Sequence, residues 1–554
     1  MFFLSRTKTG SLWSAVSSEK ASISMKIDIS SPANAVIGRY RLSYQIYSMC
    51  STTSHSLADI ILLFNPWAPG DDVYMADAAL RKEYVLNDFG ILYAGNQHYI
   101  QGKPWNYGQF ERNILKTSLA MLDRSINYSK DKAKDVSSRY DPVYVGRVCS
   151  AVINSNDEKG VLLGKWGEPY SDGVKPSDWN GSVAILRQWY NNNYQSVKYG
   201  QCWVFSGVMC TVLRCLGIPA RSVTNFESAH DTDVNLTIDK YVDPSGVPLH
   251  QKDSIWNFHV WNEGWFVRKD LGSFYNGWQV LDATPQEPSE GSAKEREIYK
   301  KACNKLFRGS LEDSSVVSDE DLENDLADDF SEDSEEEPQG SQISAQFKLA
   351  NSPLFGQDVN VMLVLKNATS DSKTIRINQK AFSVDYTGTA VKEILKVNTS
   401  VDLSSNDEKQ ISLKIPFDQY ENSLTEDNII QVVAVCEDEQ GKKQLVQRSI
   451  VIESPPIIIK APDQVTVKRT VQVEAVFENP LSEELKNCRL VVEGSGLVKD
   501  PLKIKVGDLK PKEKMTVPFK ITPYTCGTQQ LLVALICEKI SEVKNYQSIA
   551  VVKA

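Results

Sequence analysis

Between Cys202 and Leu216 the apolar positions fall at helical spacing. Phe205, Val208, Met209, Val212 and Leu216 line up as one stripe, and the run predicts a helix. Gly217 and Pro219 stand where helices ordinarily stop. Gly200, just ahead, lets the backbone turn sharply into the first turn. Toward the C-terminal end the period changes. Val359 to Leu365, Ile429 to Val435, Thr470 to Phe477 and Leu531 to Ile536 are short apolar or alternating runs, separated by turn formers such as Asn479-Pro480 and Ser495-Gly496. Two β-sandwich domains of roughly a hundred residues each fit the stretch from Ser341 to Ala554. Ahead of the helix, Ala21 to Tyr47 and Ile60 to Phe64 alternate in the same way.

A chain of 554 residues is too long for one core and predicts three or four domains. No run of eighteen apolar residues is present, which argues against a membrane-spanning helix. The apolar patch in Met1 to Arg6 is too short for a signal peptide. Ten cysteines without paired spacing, three of them on one helix, point to a reducing, cytoplasmic setting. Five histidines with no Cys–His cluster argue against structural zinc. The formal charge of −10 misleads: fourteen Asp and Glu, and no Lys or Arg, lie between Leu311 and Pro338, and without them the remainder stands at +4. That balance excludes a general nucleic-acid surface. The acidic tract reads as a solvated linker, since it cannot bury enough apolar area to order itself.

Cys202 heads the predicted helix, where the dipole and free N–H groups favour a thiolate. Downstream come His259 in Trp256-Asn257-Phe258-His259-Val260-Trp261 and Asp282 in Gly277 to Pro285. In that order they offer a nucleophile, a base and a carboxylate to orient the base. Cys210 and Cys215, further along the helix, read as core thiols. Taken singly, Cys202 fits a buried thiol, His259 a satisfied core histidine and Asp282 a turn cap. The triad by itself would also fit a cysteine protease.

The surroundings distinguish them. The stretches "KYGQCWVF", "SIWNFHVWNEGW" and "GWQVLDATPQE" resemble the papain-like catalytic core of the animal transglutaminases. The likeness extends through "SSPANAVIGRYRLSYQI", "ILLFNPWAPGDDVYM", "KPWNYGQFE", "DPVYVGRVCSAVINSNDEKGVLLGKW" and "LRCLGIPARSVTNFESAHD", covers most of the chain, and favours the epidermal-type members. It implies a multidomain α+β protein. A partial N-terminal β-sandwich would span 1–68, a papain-like α/β core 69–308, the acidic linker 309–340, and two immunoglobulin-like β-sandwich or barrel domains 341–453 and 454–554. The first half of the family's N-terminal sandwich is missing on this reading. "LDATPQEPSEG" also runs directly into "SAKEREIYKKACNKL", where the family carries several dozen further residues.

The resemblance further implies calcium-dependent acyl transfer from protein-bound glutamine to lysine or polyamine amines, through a thioester on Cys202. The alternative is an inactive scaffold or binding protein, in view of the missing segment. Trp166 matches the tryptophan whose indole N–H helps hold the oxyanion, beside the Cys202 backbone N–H; such donors are worth roughly 3–4 kcal/mol. Trp256 matches a wall of the acyl-donor tunnel, and Tyr386 a barrel tyrosine that caps the cysteine in the closed enzyme. Calcium ligands carry over onto Ala151 (carbonyl), Asn154, Asn156 and Glu158, and onto Asp231, Asp233, Asn235, Thr237 and Asp253. Both sets offer the hard oxygens the ion takes. For a third site only Glu290 and Glu295 remain. Of the family's nucleotide pocket, Arg448 is retained while other positions hold Asn127, Tyr128, Gln346 and Lys348, which leaves GTP control weakly supported.

Overall fold

The computed structural model describes residues 4–5, 12–20, 24–48, 51–231, 237–239, 241–243, 249, 253–285, 343–349, 352–541 and 543–553. The acidic tract, the junction near Gly291, Asp233, Asn235, Glu290 and Glu295 lie outside them, as does the side chain of Glu158.

A three-stranded sheet (Leu4–Ser5, Ser14–Lys20, Met25–Ser30) and a hairpin of Gly38–Tyr47 with Thr52–Leu62 carry the alternation at the N-terminal end. Their apolar side chains are poorly covered: Ile27, Ile29, Ile46, Leu57 and Ile61 are exposed. Isolated ribbons of this kind need a neighbour to pack on. Support comes from the core, where Phe64 N–H donates to Leu216 O at 3.1 Å and Ile37 N–H to Arg139 O at 3.3 Å.

One helix organises the core. It runs from Cys202 to Cys215, and every residue of it is buried, polar ones included. The apolar stripe was therefore an incomplete guide. Helices Ile114–Leu122, Pro142–Ile153 and Ser182–Asn191 and strands Ala220–His230 and Ser254–Phe266 all pack around it, so no face meets solvent. Thr211 survives burial by donating to Tyr107 O and Gly207 O, each at 3.0 Å. Gly217, at φ +90°, ends the helix as expected. Gly200 has a different reason from the expected turn. Its φ is not left-handed, but a Cβ there would meet Leu162 Cδ2 at 2.3 Å, so the glycine permits close approach.

The C-terminal region is two packed-sheet units. In the first, strands Ile343–Leu349, Val359–Asn367 and Glu408–Ile415 face a four-stranded sheet ordered Ala390–Leu403, Lys373–Val384, Ile429–Glu437, Lys443–Val451. In the second, a three-stranded sheet that includes Val471–Glu478 accompanies a five-stranded one built on Leu485–Glu493, Gly527–Ile536 and Val543–Val552. The core's apolar cluster continues without a break into Phe382, Val384, Tyr386, Ile429, Val433 and Val451 of the first barrel. That continuity brings barrel residues to the head of the central helix.

Candidate active site

Strand Ser254–Phe266 runs antiparallel to Ala220–His230, with Asn225 opposite His259, and to Gly277–Leu281, with Asn262 opposite Leu281. Asp282 follows directly at the end of that last strand. The central helix is tied to the middle strand one turn beyond Cys202. There Ser206 Oγ donates to Trp261 O and Asn262 Nδ2 to Ser206 O, both at 3.0 Å. These bonds set Cys202 beside His259.

Cys202 is fully buried and His259 nearly so. His259 Nε2 lies 2.7 Å from Asp282 Oδ2, and Asp282 Oδ1 accepts from Thr284 N at 2.9 Å. With Nε2 engaged, Nδ1 is the nitrogen left for the thiol; it is buried and meets no geometric hydrogen-bond partner. Burial works against charge on the ring, yet the bond to Asp282 and the nearness of the Cys202 sulfur outweigh it and push His259 up to about 10. The ring that faces Cys202 is thus held in its charged form.

Tyr386 reaches this point from the first barrel. Its hydroxyl accepts from Trp166 Nε1 at 2.5 Å. Burial, then the neighbouring Cys202 sulfur, raises the tyrosine well above its usual value. Trp203, Trp256 and Phe258 surround the phenol, with ring centroids 5.6, 5.8 and 4.9 Å away. Trp256 also meets His259 edge-on at 5.5 Å and stacks on His230 at 5.3 Å. The loop carrying Tyr386 is pinned by Asn257 N–H to Tyr386 O at 2.8 Å and by Tyr386 N–H to Asp427 Oδ2 at 3.0 Å.

The sequence pattern missed the neighbouring carboxylate. Glu426 accepts from Tyr170 Oη at 2.8 Å, Ser177 Oγ at 3.0 Å and Gln201 Nε2 at 3.1 Å. Gln201 is the residue before Cys202, so a barrel carboxylate grips the entry of the central helix. Gln201 stood inside a quoted motif. Glu426 sat in an aperiodic loop, and no local signal could have found it.

The oxygen-rich sets are less convergent. Asn154 ends helix Pro142–Ile153, in which Ala151 lies, and its side chain accepts from Asn156 N at 2.8 Å. Asp253 is buried and accepts from Asp239 N at 3.3 Å, while Asp231 is half-buried and Thr237 exposed. Carboxylates, amides and a carbonyl fit calcium chemically. Among the described residues no three acidic, histidine or cysteine side chains gather as a metal cluster. Arg448 donates to Phe347 O at 2.9 Å and lines a cavity of about 170 Å³ with Asn96, His98 and Tyr99. Asn127, Tyr128, Gln346 and Lys348 do not line it.

Family models match three parts of the chain: "Transglutaminase family" at 1–47, "Transglutaminase-like superfamily" at 181–283, and "Transglutaminase family, C-terminal ig like domain" at 343–447 and 455–553. Protein-glutamine gamma-glutamyltransferase E of Bos taurus is 40% identical over 100% of this chain and 90% of its own. The Homo sapiens counterpart is 40% identical over 100% and 89%. The bovine alignment spans 633 positions against 554 residues here, so that relative carries residues this chain lacks. The crystal structure of red sea bream transglutaminase superposes with a TM-score of 0.83 at 30% identity, covering 98% of this chain and 89% of the other. Likeness of that extent, in sequence and in architecture, is found only among related proteins, and this chain belongs to the transglutaminase family.

Proposed function

We propose that this chain performs calcium-dependent transfer of a glutamine acyl group to an amine through a thioester on Cys202. The observation that carries the reading is His259 held 2.7 Å from Asp282 with Cys202 at the helix head beside it. The Cys202 thiolate attacks the carboxamide carbon of a peptide-bound glutamine. The His259 proton leaves with the nitrogen as ammonia, and the carbonyl carbon stays on sulfur. A neutral lysine or polyamine amine then attacks the thioester, His259 takes its proton, and Cys202 departs as thiolate. Asp282 keeps the imidazole oriented and stabilises its charged form.

Trp166 Nε1 and the Cys202 backbone N–H are the donors we assign to the oxyanion. Trp256, already against His259, would wall the approach of the acyl donor. Water as acceptor gives deamidation, so an aromatic-walled approach favours transfer over hydrolysis. Calcium would be held by Asn154, Asn156, Glu158 and the Ala151 carbonyl, and by Asp231, Asp233, Asn235, Thr237 and Asp253. There it would supply positive charge that orders the loops flanking the core strands. The ten cysteines, which fall without paired spacing, are the ground for placing it in a reducing, cytoplasmic setting.

The test is labelled-amine incorporation into a glutamine-containing protein by the native chain and by Cys202→Ala. Incorporation is expected only with Cys202 present. Incorporation that persists in the variant rejects the nucleophile.

A further inference from the structure

The second barrel holds two thiols that the reaction does not use. Its strands Leu485–Glu493 and Gly527–Ile536 pair antiparallel with Arg489 opposite Ile536 and Leu490 opposite Leu535. Continued one step, that register sets Cys488 opposite Cys537. Directly opposed residues point to the same face with Cβ atoms about 4.5–5.5 Å apart, and disulfides need Cβ atoms about 3.5–4.5 Å apart, a short adjustment away. The adjustment is available. The pairing of Leu485–Glu493 with its other neighbour, Leu502–Leu509, is irregular on both sides of Cys488, and Cys537 lies just past the end of strand Gly527–Ile536. Both thiols are reduced; Cys488 is buried and Cys537 partly exposed. Their closeness shows in mutual perturbation: a hydrogen bond from Cys537 chiefly lowers Cys488, and the same bond chiefly raises Cys537.

The turn that follows Cys537 is not a loose end. Ser541 Oγ accepts from Asn428 Nδ2 at 3.0 Å and donates to Glu426 O at 3.3 Å, and Ser541 O accepts from Ser454 Oγ at 2.8 Å. Glu426 in turn grips Gln201 beside the candidate nucleophile. Arg489, next to Cys488, reaches Asp178 of the core at 3.5 Å. The thiol pair therefore sits at the root of the turn through which the second barrel holds the segment 426–428.

We propose that Cys488 and Cys537 form a reversible disulfide, a redox site whose closure restrains the Cys537–Ser541 turn and with it the grip on Glu426. The oxidant is a low-molecular-weight disulfide. The one thiolate that the pair carries attacks one sulfur of it and expels a small thiolate. The partner thiol then loses its proton and attacks the protein sulfur of the mixed disulfide, expelling the second. Two protons pass to the released thiolates, and the small disulfide takes the two electrons.

The full chain is equilibrated in glutathione and glutathione disulfide at graded ratios, quenched by alkylation and mapped by mass spectrometry. A peptide linking Cys488 to Cys537 is expected, reversed by dithiothreitol and absent from Cys537→Ser. Recovery of Cys537 only as free thiol or as the glutathione adduct, at every ratio, overturns the site. Hydrogen exchange of residues 426–428 is measured on the same samples in the Cys202→Ala background, so that no oxidation of the candidate nucleophile intervenes. Slower exchange in the linked form supports the restraint, and unchanged exchange overturns it. Because this background has no acyl-transfer chemistry, the result stands or falls independently of the proposed reaction.

Discussion

The Trp166 indole N–H donates to the Tyr386 hydroxyl at 2.5 Å, joining core to first barrel across the sulfur of Cys202. The donor assigned to the oxyanion is thus already engaged, and the thiol beneath it is fully buried. On the proposed function, a protein-bound glutamine would reach Cys202 only after Tyr386 withdraws, which makes the described conformation the closed one.

Removing that hydroxyl should favour opening. One net hydrogen bond is worth about 0.5–1.5 kcal/mol, which corresponds to roughly 2- to 12-fold in an opening equilibrium. Tyr386→Phe keeps the ring packing against Trp203, Trp256 and Phe258. Alkylation of Cys202 by iodoacetamide is expected to accelerate within that range. A rate equal to the native one would mean that the hydroxyl does not hold the closed form.

Glu426 is the second fastening. Three donors from the core converge on its carboxylate, and charge-assisted bonds are the stronger kind. Glu426→Gln retains the shape but brings an N–H group among those donors, at a cost of about 1–3 kcal/mol. The melting temperature should fall while Cys202 alkylation accelerates. A lower melting temperature with unchanged alkylation would limit Glu426 to a structural role.

The His259–Asp282 pair predicts a definite pH dependence. The folded value of about 10 lies above the ordinary histidine value of about 6.5. Between the two, the folded chain holds a proton that the unfolded chain has lost. The contribution to stability is thus whole below about pH 6.5 and is lost as pH rises through about 10. Asp282→Asn should destabilise most in mildly acidic buffer and progressively less toward pH 10, and should draw the alkaline limb of activity toward neutrality. Thermal melts across that range give the first readout, and kcat against pH the second.

Calcium should act on the fold as well as on activity. A ligand that binds only the native state at a hundred times its Kd adds about 2.7 kcal/mol. Added calcium should raise the melting temperature of the whole chain, chelation should abolish amine incorporation, and Asp253→Asn should blunt both responses. A melting curve indifferent to calcium and chelator would reject the carried-over ligands.

Local pattern in the sequence determined a good deal. The helical period from Phe205 to Leu216, closed by Gly217, marked the helix that carries Cys202, and the alternating runs from Val359 onward marked the barrel strands. Period and turn chemistry act within a few residues, so they survive in a linear reading. The motifs around Cys202, His259 and Asp282 also named the family. Other matters were decided only by packing. The central helix is buried on every side because helices and strands distant in sequence close around it, which no single stripe can reveal. Gly200 is there for Leu162, not for a turn. Glu426 meets Gln201 across 225 positions of chain, and Cys488 faces Cys537 only because two strands align in one register. Such contacts depend on how domains meet, and a local pattern carries no record of that meeting.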